Sequence, residues 1–254
     1  MIESEMHCRP ISFFADGYRL NGTLHLPRAS HPPVIIGSHG LLSSGESSKQ
    51  RELARRCTAA GMAYFRFDHR GCGRSQGYFP EVTSLEGRVR DLVAAVRTIG
   101  LRADTGRGCG LFGSSMGGAV CLAAARVIGT DALVTAAAPV RSRFLDPFKN
   151  EQANGIENRR PRQLHFDLSE TISGLRHVLV FHGDADEVVP YAHALEIIER
   201  LDAPKRLVRQ KNGDHVMTDA THRETFLQEA VNWFASRLGI TQERISIGHP
   251  TKLT

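Results

Sequence analysis

Apolar positions recur along this chain with two spacings, and the switch between them marks out its elements. Val34-Ile35-Ile36-Gly37-Ser38 is a short unbroken apolar run, read as a buried strand. Residues 49–60 then place Leu53, Ala54, Cys57 and Ala60 on one helical face. The same change of period repeats. Strands are predicted at 62–68, 108–112, 132–138, 177–182 and 205–210. Between them, residues 84–99 repeat Leu85, Val89, Leu92, Val93 and Val96, with Ser84 as the expected N-cap. An Ala-rich helix is predicted at 116–128, and another helix at 192–201. A last one opens at Thr221, with Glu224 at the spacing of a capping box and Phe226, Leu227, Ala230, Val231, Phe234 and Leu238 along its apolar face. Upstream, residues 11–27 hold two β-type runs. Asp16-Gly17 and Asn21-Gly22 are both turn signals, so the register of that hairpin stays open.

Strands alternating with helices of this length imply a mostly parallel central sheet with helices on both faces, the α/β class. No repeat and no linker divides the chain, so residues 1–254 are expected to form one domain. A polar stretch at about 140–174, with Pro147 and Pro161, interrupts the alternation and is expected to be a short cap-like insertion. Residues 240–254 read as a loosely attached C-terminal extension.

Composition narrows the classes further. With 41% hydrophobic and 23% charged residues, the chain is neither disordered nor collagen-like. No apolar run approaches the roughly 18 residues of a membrane span. Met1-Ile2-Glu3-Ser4-Glu5 lacks the basic and apolar regions of a secretory signal. The five cysteines are scattered without a Cys-x-x-Cys pair, which points to a reducing, cytoplasmic compartment and away from zinc ribbons. The net charge of +5 is not gathered into a stripe, and one Trp and four Tyr offer little base stacking, so no nucleic-acid partner is expected. No metal-ligand spacing such as His-Glu-x-x-His occurs, and no cofactor is expected.

The chemistry is carried by Gly113-Ser114-Ser115-Met116-Gly117, a Gly-x-Ser-x-Gly pattern between a strand and a helix-forming run. Such a turn is too tight for side chains on either side of the serine, hence the glycines. Gly73-Arg74-Ser75-Gln76-Gly77 has the same pattern, but Gly77-Tyr78-Phe79-Pro80 is not expected to start a helix, which leaves Ser75 a loop-ordering role. A serine nucleophile needs a base, and the base an orienting acid. After the strand at 177–182 comes Gly183-Asp184-Ala185-Asp186-Glu187, and after the last strand Gly213-Asp214-His215. Both loops leave the carboxyl ends of strands, where open α/β sheets place their sites. His215 is the candidate base. Asp186 is the candidate acid, with Asp184 and Glu187 as rivals and Asp214 as a loop neighbour. An oxyanion needs two backbone donors. The candidates are the N–H of Met116 and that of Leu41, in the loop after residues 34–38, with His39 bracing that loop.

These residues together resemble the α/β-hydrolase-fold serine hydrolases. The matching pieces are Ser38-His39-Gly40-Leu41, Asp68-His69-Arg70-Gly71-Cys72-Gly73-Arg74-Ser75, the Ser115 segment with Gly118, His182 to Pro190, and Gly213-Asp214-His215. They run in family order over roughly residues 18 to 238. The pattern is similar to small bacterial carboxylesterases of the cinnamoyl or feruloyl type and to monoacylglycerol lipase-like enzymes. The segment Val140 to Gly174 is shorter than the substrate-binding insertion of those esterases. The resemblance implies Asp186, not Asp184, as the acid. It also implies an acyl-enzyme mechanism on a small-molecule ester, with thioesterase, peptidase and non-catalytic binder as the alternatives. Arg141, Arg143, Lys149, Arg159, Arg160 and Arg162 in the insertion raise one further expectation, steering of anionic acyl substrates.

Overall fold

A computed structural model describes residues 7–142 and 161–240. Its centre is an eight-stranded sheet in the order β1-β2-β4-β3-β5-β6-β7-β8. The first pair, β1 (His7–Ala15) and β2 (Tyr18–Leu26), forms an antiparallel hairpin, and β2 pairs antiparallel with β4 (Ala63–Phe67). The remaining neighbours are parallel: β3 (Val34–Ser38), β5 (Cys109–Ser114), β6 (Ala132–Ala136), β7 (Val178–Gly183) and β8 (Lys205–Gln210). The hairpin turns at Asp16-Gly17, where both residues have positive φ, as a tight two-residue turn requires. Asn21-Gly22 lies inside β2 instead. Gly22 faces the Phe65 ring, which would stand 2.6 Å from a Cβ there, so this glycine serves close strand approach.

The pleat sends alternate residues to two covers. Ile36, Phe65, Leu111, Leu133 and Val180 meet α3 (Leu85–Gly100), α4 (Met116–Ile128) and α5 (Ala192–Arg200). Their chain neighbours Ile35, Tyr64, Phe112, Val134 and Phe181 meet α1 (Ser48–Ala59) and α6 (Ala220–Arg237). The expected α/β architecture, with an N-terminal hairpin and helices on both faces, is present. The chain steps from β3 to β4 on one side and then crosses to β5 on the other. The carboxyl ends of β3 and β5 therefore flank a crevice where the connections diverge, the usual place for a site in such sheets.

Two local expectations are corrected. A one-turn helix, α2 (Phe79–Val82), does form after Gly77, because Pro80 falls in the first turn, where its missing N–H costs nothing. The cap of α6 is not the Thr221/Glu224 box. Asp219 caps it by accepting from His222 N at 2.9 Å, while Glu224 forms an ion pair with Arg56 of α1. In addition, the strand expected at 132–138 stops at Ala136, and Ala137 turns to φ 54. Arg143, Lys149, Arg159 and Arg160 of the insertion, and residues 241–254, lie outside the described residues. Arg141 pairs with Glu196 and Asp167, and Arg162 with Glu81, so the described basic residues of the insertion are committed to carboxylates. Among the described residues no helix is long and apolar enough to cross a membrane.

Candidate active site

Ser115 stands between β5 and α4 at φ 53 and ψ −123, a conformation non-glycine residues adopt only under constraint. Its N–H donates to Ala136 O at 2.8 Å, and its carbonyl accepts from Gly118 N at 2.8 Å. A Cβ at Gly113 would collide with the Gly117 carbonyl, and one at Gly117 with the carbonyl of Ser38. The bend thus packs three backbone segments closer than any side chain allows, and it leaves the Ser115 side chain at its apex.

The loop after β8 delivers His215, whose Nε2 lies 3.0 Å from Ser115 Oγ. The loop after β7 delivers Asp186, whose Oδ2 lies 2.8 Å from His215 Nδ1. The carboxylate can only accept, so Nδ1–H donates to Asp186, and Nε2 is left to accept the Ser115 hydroxyl proton. Asp186 is buried, with Oδ1 accepting from the N–H groups of Val188 (2.9 Å) and Val189 (2.8 Å), and with His182 Nε2 3.4 Å from Oδ2. Burial alone would raise its pKa. The donors from His182, His215 and Val189 outweigh burial and hold the carboxyl far below the usual carboxylate range. Asp186 therefore stays ionised beside the imidazole. Asp184 points elsewhere, to Arg209 and Asn212 N, and Asp214 accepts from Thr218 N and Oγ1. Glu187 is exposed.

Leu41 and Met116 are both buried. The Leu41 loop runs beside the serine: a Cβ on Gly40 would lie 3.6 Å from Ser115 Cβ. Several contacts fix this loop. His39 Nε2 accepts from His69 N at 3.1 Å, so its Nδ1–H is free to donate to Gly40 O at 2.8 Å. Burial pushes the His39 pKa well down and keeps the ring neutral. Ser75, the alternative serine, ties loops together instead, donating to Asp68 O and accepting from Asn21 N.

Sequence reasoning missed a second Ser-His-Asp chain under this loop. Ser38 Oγ lies 2.8 Å from His69 Nε2, and His69 Nδ1 lies 3.3 Å from Asp91 Oδ2. All three residues are fully buried, out of reach of any substrate, so this chain braces β3, the loop after β4 and α3 against one another. Arg70 joins it through Asp91, and Arg88 braces the neighbouring loop by donating to Gly40 O and Leu41 O. A signal was available. Arg88 and Asp91 fall in phase with the buried stripe Leu85, Leu92, Ala95 and Ile99, where polar side chains need specific partners. Among the described residues no cluster of three or more His, Cys, Asp or Glu side chains is placed to hold a metal ion.

A mostly parallel sheet with a serine on the bend after its fifth strand, facing an imidazole and a buried carboxylate, defines an α/β hydrolase of the serine hydrolase type. The model of the serine aminopeptidase family, S33, matches residues 29–174, and the chain belongs to that family. The chain is 29% identical over 238 residues to the uncharacterized protein YfhR of Escherichia coli O157:H7, which covers 88% of this chain and 78% of that one. It is 26% identical over 214 residues to the mitochondrial palmitoyl-protein thioesterase ABHD10 of Mus musculus, covering 74% and 70%. Among solved structures, Est1E of Butyrivibrio proteoclasticus with ferulic acid bound has a TM-score of 0.74 at 20% identity, covering 90% of this chain and 99% of that one. XC6422 of Xanthomonas campestris, an α/β serine hydrolase without lid, has a TM-score of 0.63 at 22% identity, covering 96% and 97%. These two likenesses show the shared fold.

Proposed function

We propose that this chain hydrolyses a small carboxylic ester through an acyl-enzyme on Ser115. The observation that carries the reading is the continuous Ser115–His215–Asp186 chain, with links of 3.0 and 2.8 Å. Ser115 Oγ attacks the ester carbonyl while His215 Nε2 takes its proton. Asp186 holds the ring in the tautomer that leaves Nε2 unprotonated and stabilises the imidazolium that forms. The N–H groups of Leu41 and Met116 receive the oxyanion. The tetrahedral intermediate collapses as His215 gives its proton to the leaving alcohol. Water then repeats the sequence on the acyl-enzyme and frees the acid.

No group in this cycle needs a cofactor or metal. All five cysteines are free thiols, which suits a reducing compartment, and we place the enzyme in the cytoplasm as one α/β unit. A panel of esters varied in acyl length, aromaticity and charge, run against wild type and Ser115→Ala, tests the function. Turnover by the wild type that disappears in the variant is expected, and equal turnover by both overturns the reading. A thioester is the second reading, favoured by the similarity to ABHD10. The same acyl group presented as an oxygen ester and as a sulfur ester separates the two by their kcat/KM.

A further inference from the structure

Arg88 lies in the first turn of α3 and is completely buried. Among the described residues no carboxylate lies within ion-pair distance of it. Asp91, one turn further on, is spent on Arg70 at 2.7 Å and on His69 at 3.3 Å. Burial lowers the Arg88 pKa, yet a guanidinium stays charged. An unpaired buried cation is costly, and an aliphatic side chain of similar volume would serve the core better.

The charge is directed at the oxyanion loop. Arg88 Nη1 donates to Gly40 O at 3.2 Å, and Nη2 donates to Leu41 O at 3.0 Å and to Cys72 Sγ at 3.3 Å. Across a trans peptide the N–H points opposite the C=O. Holding Gly40 O toward α3 therefore fixes the Leu41 N–H on the far side of the same plane. Gly40 O also accepts from His39 Nδ1, so two donors set that plane. Hydrogen bonds in series polarise one another, and a cation on the carbonyl strengthens the N–H dipole beyond it.

We propose that Arg88 is a positioning residue of the oxyanion hole: it locks the Gly40–Leu41 peptide so that the Leu41 N–H stays turned toward the oxyanion. This rests on the acyl-enzyme reading above. The role predicts a loss confined to the transition state. Arg88→Met should lower kcat about 10- to 100-fold, below or near the cost of deleting one oxyanion donor, while KM moves by about twofold or less. Affinity for a trifluoromethyl ketone, which adds to Ser115 as a tetrahedral oxyanion, should fall with kcat. Arg88→Lys, which keeps the charge and can reach one carbonyl, should recover part of both losses.

The test measures kcat, KM and ketone affinity of wild type and both variants on a p-nitrophenyl ester, with folding checked by thermal unfolding. A folded Arg88→Met with wild-type kcat overturns the proposal. So does a loss confined to KM, a ketone affinity that stays constant while kcat falls, or a lysine variant no better than methionine. If Arg88→Met does not fold, Arg88→Lys decides against wild type: reduced kcat and ketone affinity at constant KM support the role, and unchanged values of both overturn it. Wild type that neither turns over the ester nor takes a fluorophosphonate on Ser115 sinks the acyl-enzyme reading itself. Wild type that does both, with variants behaving like it, sinks only the role of Arg88.

Discussion

Ser115 is held by its neighbours rather than by its own preference. Its amide is spent on Ala136 O, its φ is positive, and Gly117 lets β3 close in behind it. A methyl group at Gly117 meets backbone, which cannot swing away. Gly117→Ala should therefore destabilise by about 1–3 kcal/mol and displace the Gly40–Leu41 loop through Ser38. A urea unfolding curve and an ester assay on the same preparation check both effects, and an unshifted midpoint with normal activity contradicts them. Asp186 makes a separate prediction. Asp186→Asn keeps the shape but no longer dictates the His215 tautomer, so kcat should fall on the order of 10⁴-fold while the fold persists. A fall of less than about tenfold would show that the His215 tautomer is set by another group. The residues of this chain were readable from the sequence because each sits in a glycine-rich loop next to an obvious strand. Arg88 and the Ser38–His69–Asp91 brace were not. Their partners come from β3, the loops after β3 and β4, and α3, and only the packed fold makes them neighbours.

At the scale of elements, periodicity located every central strand, and it missed what depends on single turns. Two turn signals in residues 11–27 could not be ranked by local chemistry. The Phe65 ring against Gly22 decides for Asp16-Gly17. The start of α6 is similar. Thr221 and Glu224 have capping-box spacing, but Arg56 of α1 claims Glu224 from across the α1–α6 contact. Asp219→Ala should accordingly lower the melting temperature more than Thr221→Ala. The reverse order in a thermal unfolding comparison would restore the capping box.

For the whole molecule, buried imidazoles govern the response to acid. His25 is pushed down to about 4 by burial and by Arg66, and His69 is pushed down to about 4 chiefly by burial. His39 is held low by burial and its charged neighbours. Unfolded, these rings take up protons below about 6.5; folded, His25 and His69 stay neutral until about 4. Across that window the unfolded chain binds more protons, so stability falls as pH falls, by up to about 1.4 kcal/mol per pH unit for each ring. Asp186 and Asp91 are held below the ordinary carboxylate range, so their contributions vanish only in stronger acid. Urea midpoints measured from pH 7 to pH 5 should decline steadily, and a flat profile contradicts the neutral buried rings. The overall architecture was legible because strand and helix periods alternate in order. The long-range placement of charge was not, since it follows from the sheet order.

The central claim is that the Ser115 hydroxyl is activated by His215. The most direct measurement is covalent labelling by a fluorophosphonate, located by mass spectrometry in wild type and in His215→Ala. A single adduct on Ser115 is expected, forming about 10²- to 10⁴-fold more slowly without the imidazole. A folded protein that takes no label, an adduct on Ser75 or elsewhere, or a rate indifferent to His215 would contradict it.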